Sequence, residues 1–436
     1  MGEGEFEVKK EAIVRKAIIA SLLLAAAPLA RAGAGDGAAG PEPAPTPTPA
    51  VAAAQDTAKS EAKPRLDIYG FAMLDMGYQS GQNDPNWFDV LRPTKLPAYA
   101  NEYGEDGRFF AGVRQSRLGF KGFIPTDLGE IKTIFEFELF GTGVDAGQTT
   151  FRLRHAWGEL GQIGAGQTWS PFMDPDVFPN SIEYWGPNGM VFFRNVQLRW
   201  TPWQKGDSRF AIALERPGAS ADQGIYQDRV ELQGVTARFP LPDLSAQFHY
   251  AKGWGHVQVA GLVRQMRWDD TNDDQLNLTG KDTGWGINVS SNLKIQKHVA
   301  RLQVVYGEGI QNYMNDAPVD IGIQNNFSNP VTPILGKALP ILGIVAFLDL
   351  NWNARWTSTV GYSMVDIDNS DGQLPSAFKR GQYALANVLY HPTSGLFLGP
   401  EVQWGKRENF KDGFTSDDVR IQFSAKYNFK VSLGGK

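Results

Sequence analysis

The sequence predicts an all-β protein, a transmembrane antiparallel β-barrel of about sixteen strands with one loop folded into its interior. Three observations carry this. The first is residues 420–429, where Arg420, Gln422, Ser424, Lys426 and Asn428 alternate with Ile421, Phe423, Ala425, Tyr427 and Phe429. Successive side chains of a strand point to opposite faces, so this segment has one wet face and one apolar face. The second is composition. The apolar fraction is 42% and the mean hydropathy −0.30, too polar for spanning helices, while 48 glycines and 12% aromatics suit many turns and interfacial girdles. The third is that short and long connections alternate along the chain, as they do when strands cross a membrane to and fro.

The elements follow in order. The apolar run 17–30 comes after Arg15 and Lys16 and ends in Ala30-Arg31-Ala32, so 1–32 reads as a secretory signal peptide. Residues 33–64 are Ala- and Pro-rich, a stiffened solvated tether without a heptad pattern. The barrel is expected over 65–429, with 430–436 left as a short C-terminal tail. Strands are expected at 66–79, 109–124, 131–140, 151–160, 162–169, 195–203, 209–216 and 244–252. They continue at 256–268, 285–293, 299–308, 344–353, 356–365, 381–390, 396–405 and 419–429. Residues 231–240 also look strand-like but are assigned to a loop, which preserves an even count. The apolar run 334–345 is too short to span and reads as a packed loop segment entering a strand. There is no cysteine, so closure of the sheet must supply what disulfides would in an exported chain.

Alternation sorts side chains without a structure. With Leu118, Phe120, Leu153, Trp157, Val196, Leu198 and Trp200 facing lipid, Arg117, Lys121, Arg152, Arg154 and Arg199 face inward. So do Arg209, Arg301, Arg420 and Lys426, the glutamines Gln303 and Gln422, and the acids Glu136, Glu138, Glu215, Asp349 and Glu401. A charge on the lipid face near mid-membrane costs roughly 2–4 kcal/mol. These charges either pair and solvate a wet interior or, as a subset of arginines, select anions. The segment 170–189 stands apart, rich in Pro, aromatics and acids and bracketed by glycines. Its apolar anchors need something to pack on, and a barrel offers only its interior. It is expected to narrow the lumen, with Asp174, Asp176, Glu183, Tyr184 and Trp185 at the constriction and its acids opposite the wall arginines.

Catalytic and metal patterns are missing. The five histidines show no H-E-x-x-H spacing, no G-x-S-x-G elbow exists, and 269–274 lacks the Gly and terminal Glu of a calcium loop. No enzyme, metal or cofactor is expected, and a formal charge of −5 argues against nucleic acid.

Four segments carry a resemblance: Ile68-Tyr69-Gly70-Phe71, Arg114-Gln115-Ser116-Arg117-Leu118-Gly119-Phe120, Gly166-Gln167-Thr168-Trp169-Ser170-Pro171-Phe172 and Asn180-Ser181-Ile182-Glu183-Tyr184-Trp185-Gly186-Pro187. Together they are similar to the DcaP-like outer-membrane porins. The resemblance implies a sixteen-stranded channel in a Gram-negative outer membrane, a homotrimer, a third loop folded into the pore, and passive uptake of small anionic solutes such as dicarboxylates. Lipid and lipopolysaccharide would be its other partners. A structural or adhesion barrel with a blocked lumen is the alternative that the residues leave open.

Overall fold

The computed structural model describes residues 63–435, so the expected signal peptide and all but the end of the tether lie outside the described residues. Twenty strands follow one another: β1 (Arg65–Gln79), β2 (Arg108–Gly112), β3 (Arg117–Thr126), β4 (Gly129–Phe140), β5 (Thr149–Leu160), β6 (Ile163–Trp169), β7 (Arg194–Lys205), β8 (Ser208–Glu215), β9 (Val235–Arg238) and β10 (Asp243–Lys252). Then come β11 (Gly255–Asp270), β12 (Gly280–Ile295), β13 (His298–Glu308), β14 (Ile321–Asn325), β15 (Ile334–Ala338), β16 (Pro340–Asn353), β17 (Trp356–Ile367), β18 (Phe378–Thr393), β19 (Leu396–Asn409) and β20 (Thr415–Gly434). Neighbours pair antiparallel, and β20 returns to pair with β1, from Arg65 opposite Gly434 to Gln79 opposite Arg420. The sheet is therefore a closed ring without an edge.

Seventeen of these elements make a wall of sixteen strands. β2 and β3 are two halves of one wall strand, both paired with β1. Residues 109–124 were expected to run unbroken; instead the ladder breaks at 113–116, where the Ser116 hydroxyl accepts the Met73 N–H at 3.0 Å. The strand-like segment 231–240 yields only β9, which rides on the outer end of β11 beyond the wall. β14 and β15 form a separate hairpin in the loop before β16, so the run 334–345 does pack as loop and enter a strand. Residues 430–434, expected as a tail, continue β20 against Arg65–Tyr69 and are strand.

Every hairpin at one end of the barrel is a two-residue turn, at 127–128, 161–162, 206–207, 253–254, 296–297, 354–355 and 394–395. Right-handed strand twist favours positive φ in such turns, and Gly161 (58°), Gly206 (59°) and even Gln296 (57°) adopt it. The other end carries the long loops. Along 417–424, β20 alternates exposed and buried residues without a break, Ile421 being 56% exposed and Gln422 fully buried. Val196, Leu198, Val259, Ile287 and Val402 belong to the same outward apolar belt.

The interior is filled on one side. Leu91 and Leu96 from the first loop, 80–107, pack with Phe172, Met173, Val177 and Met190 of the loop 170–193 and with Ile310, Tyr313 and Leu339. They meet inward apolar side chains of the wall, among them Val305, Val345, Phe347, Val365 and Leu385. Where the loops pack, the wall thus carries apolar side chains on its inner as well as its outer face.

Candidate functional site

The loop 170–193 (hereafter L3, the third connection at the loop end) enters the barrel and is moored rung by rung. The Ser170 hydroxyl donates to Glu215 at 2.6 Å, Asn288 to Phe172 O at 2.8 Å, and Gln258 to Met173 O at 2.9 Å. Asn292 donates to Asp176 O at 2.6 Å; Asn180 N donates to Asp349 at 3.2 Å and its carbonyl accepts from Asn387 at 2.8 Å. Ile182 N donates to Glu401 at 3.0 Å and Gly189 N to Ser363 at 2.9 Å. Gly189 must be glycine for this course, since a Cβ there would lie 2.1 Å from Met364 O. Many inward polar residues of the far wall therefore tether L3: buried loop N–H and C=O groups need partners, and the wall supplies them.

Opposite the mooring, β3, β4, β5 and β7 bring four guanidiniums around two carboxylates. Glu138 accepts from Arg152 Nε at 2.9 Å and Arg154 Nη1 at 2.7 Å, with Arg117 at 3.5 Å and Arg194 at 3.9 Å. Glu136 accepts from Arg154 Nε at 2.6 Å and the Tyr69 hydroxyl at 2.7 Å, with Arg117 at 3.7 Å. Arg154 is enclosed, whereas the Arg117 and Arg152 side chains keep 22% and 21% exposure. The cluster carries two positive charges in excess. Lys426 sits 3.9 Å above the Phe71 ring and Lys121 5.0 Å from the Tyr69 ring. Among the described residues Arg199 donates to neutral acceptors, Gln197 Oε1 at 2.9 Å and Trp169 O. Arg209 lies 2.7 Å from the Gln247 amide oxygen in that amide's better orientation.

Two features depart from expectation. Trp157 does not face lipid. The register between β4 and β5 slips between Glu136 and Phe137, leaving Arg154 as an extra residue. The slip turns both Arg154 and His155 inward and flips the parity beyond them, so Trp157 lies inside, 8% exposed, against Gly164 and under Arg199. The L3 acids also do not face the arginine cluster. Asp174 accepts from Ser290 at 2.6 Å and pairs with His256 at 2.7 Å. Burial works to raise its carboxyl, but the His256 imidazole holds it below the ordinary range. Glu183 is sealed among backbone donors, Leu91 N at 3.2 Å and Gly186 N, and burial pushes it up to about 7 despite Arg420 nearby. Asp176 is raised by burial and by Asp174 beside it.

The L3 group that does reach the cluster is the Tyr184 hydroxyl, bonded to Glu138 and Arg152. Its ring stacks on Phe140 at 3.9 Å, while Trp185 stands edge-on to Trp87 at 4.9 Å with Arg92 on its face. Sequence reasoning missed Arg194, just before the expected start of its strand. It also missed the meeting of Asp174, His249 and His256, whose donor atoms all lie within 4.8 Å of one another.

A comparison with curated proteins by sequence finds no match. Among solved structures, the outer membrane channel DcaP of Acinetobacter baumannii superposes with a TM-score of 0.70 at 22% identity, covering 84% of this chain and 97% of that one. An anion-selective porin from Comamonas acidovorans gives 0.52 at 11% identity, covering 84% and 100%. OmpT of Vibrio cholerae in a trimer form gives 0.50 at 12%, covering 84% and 99%. At such identities these likenesses speak for the fold. The family model of the DcaP outer membrane protein matches residues 101–429, most of the chain. With a closed sixteen-stranded wall, an apolar outer belt and that match, the chain belongs to the DcaP outer membrane protein family and resides in the outer membrane of a Gram-negative cell.

Proposed function

We propose that this porin is a passive diffusion channel that favours small anions, dicarboxylates among them, and works as a homotrimer. The observation that carries the reading is the excess of guanidinium over carboxylate beside the Tyr184 end of L3. The Arg117 and Arg152 side chains stay partly exposed, and fixed arginines in a narrow passage give carboxylates bidentate hydrogen bonds. Arg199, Arg209 and Lys426, without a carboxylate in ion-pair contact among the described residues, extend the positive lining. No covalent chemistry is needed: L3 and the arginines set size and charge, and solutes move down their gradient. Loops packed into half of the lumen also suit a closed structural barrel.

Planar-bilayer recording of purified protein separates the two readings. Discrete steps with a reversal potential on the anion side support the channel, and its absence in a folded barrel overturns it. Succinate flux into proteoliposomes should exceed that of a neutral solute of similar size and fall in the Arg117→Ala/Arg152→Ala double variant.

A further inference from the structure

The mooring of L3 contains a group of side chains that hydrogen bonding alone does not account for. His249 of β10 and His256 of β11 are diagonal neighbours on adjacent strands, with rings stacked at 4.4 Å and 26°. Asp174 of L3 reaches down to them, its Oδ2 2.7 Å from His256 Nε2 and 2.6 Å from the Ser290 hydroxyl. All three side chains are buried, at 3%, 6% and fully for Asp174. A loop anchor would need one histidine. The second has no carboxylate of its own in ion-pair contact among the described residues.

We propose that Asp174, His249 and His256 form a site for a zinc-like transition-metal dication that clasps L3 to the barrel wall. Two imidazoles and a carboxylate are the donor set such ions take, with a fourth position left for water. Bonds of about 2.0–2.2 Å in a tetrahedral site call for donors about 3.3–3.5 Å apart, so the present spread closes with small side-chain rotations. Part of the outer shell is in place. His249 Nδ1 faces Gln258 Oε1 at 3.2 Å; a proton there leaves Nε2 with its lone pair. Gln258 is itself fixed by donating to Met173 O, and Ser290 orients the carboxylate. Asp176 and Arg209 stand within Coulombic reach, one of each sign, so the site's own carboxylate decides the local balance. The metal would take the place of the His256–Asp174 hydrogen bond. It would hold the first turn of L3 against two strands at once, so loop position in this porin would depend on metal supply.

The test is metal binding by the full chain, folded in detergent, stripped with chelator and dialysed against zinc. The expected result is about one zinc per chain by elemental analysis, a higher melting temperature with metal, and a visible cobalt spectrum of a four-coordinate N/O site. His249→Gln and His256→Gln should each weaken binding by at least about a hundredfold, beyond what loss of an outer-shell partner causes. The apo form of His249→Gln should melt as the apo parent does, which separates ligand loss from misfolding. Zinc absent from the parent, or retained equally by both variants, overturns the proposal. None of these readouts depends on conductance or solute preference.

Discussion

Glu138 holds the arginine cluster together, and its neutralisation gives a sharp forecast. Its side chain is fully buried and receives Arg152, Arg154 and the Tyr184 hydroxyl, with Arg117 and Arg194 at 3.5 and 3.9 Å. Glu138→Gln keeps the shape and an acceptor oxygen while the cluster's excess rises from two positive charges to three. At a distance of about 8 Å and an effective dielectric of about 20–40, one added charge changes a passing ion's energy by about 1–2 kcal/mol. That is about a five- to thirtyfold change in the partition of a single ion, upward for an anion and downward for a cation. At about 0.1 M salt the Debye length of about 10 Å leaves roughly half of this, and at about 1 M its fall to about 3 Å removes most of it. Reversal potentials across a salt gradient, taken in a dilute and a concentrated regime, measure both effects. Arg154 loses one of its two carboxylates, and breaking a buried pair costs about 3–5 kcal/mol, so the urea midpoint should fall as well. A folded variant whose selectivity stays constant, or moves toward cations, would refute the claim that this cluster sets the field.

Three further outcomes are expected. Glu183, buried on L3 with its carboxyl raised to about 7 from an ordinary 4.5, stays protonated in the fold at mildly acid pH. Its contribution is fully present below pH 4.5 and lost as pH rises through 7, so L3 should be more protease-sensitive at pH 8 than at pH 5, a difference that Glu183→Gln should abolish. Deleting 175–184 removes the mid-L3 moorings to Asp349 and Glu401 and should raise single-channel conductance and admit larger sugars in liposome swelling; unchanged values would place the limit elsewhere. Ile287→Arg, at the middle of β12 and 52% exposed, should cost roughly 2–4 kcal/mol in bilayer folding equilibria, and a neutral result would mean the belt there does not meet lipid.

The wall was legible in the sequence because its two faces meet different solvents, so a two-residue period is written into β20 and β7 as alternating polar and apolar residues. Legibility failed where that condition fails. Along β16, Ile341, Val345 and Phe347 face inward yet are apolar, because L1 (80–107), L3 and the 309–339 loop pack on them as on a soluble core. It failed again at Arg154, where one additional residue inverts the parity of all that follows and no local signal marks the slip. At the candidate site, the arginines and glutamates could be sorted inward by cost alone. Their pairing could not, because β3, β4, β5 and β7 meet only in the closed ring. The same holds for Asp174 with His249 and His256, separated by more than seventy residues yet joined across the interior.

The seam between β1 and β20 bears on biogenesis. It is the wall junction with no hairpin across it, and it pairs Arg65 with Gly434. Loop-closure entropy is greatest for such a contact, so it should be among the last to form. Until then the sheet has two bare margins, β1 and β20, each with unpaired N–H and C=O groups and an apolar face, which is the surface that templates aggregation. In the periplasm, therefore, the vulnerable species is the nearly complete sheet, and a chaperone that shields Ile421, Phe423, Tyr427 and Phe429 until the first strand arrives would protect it at that stage.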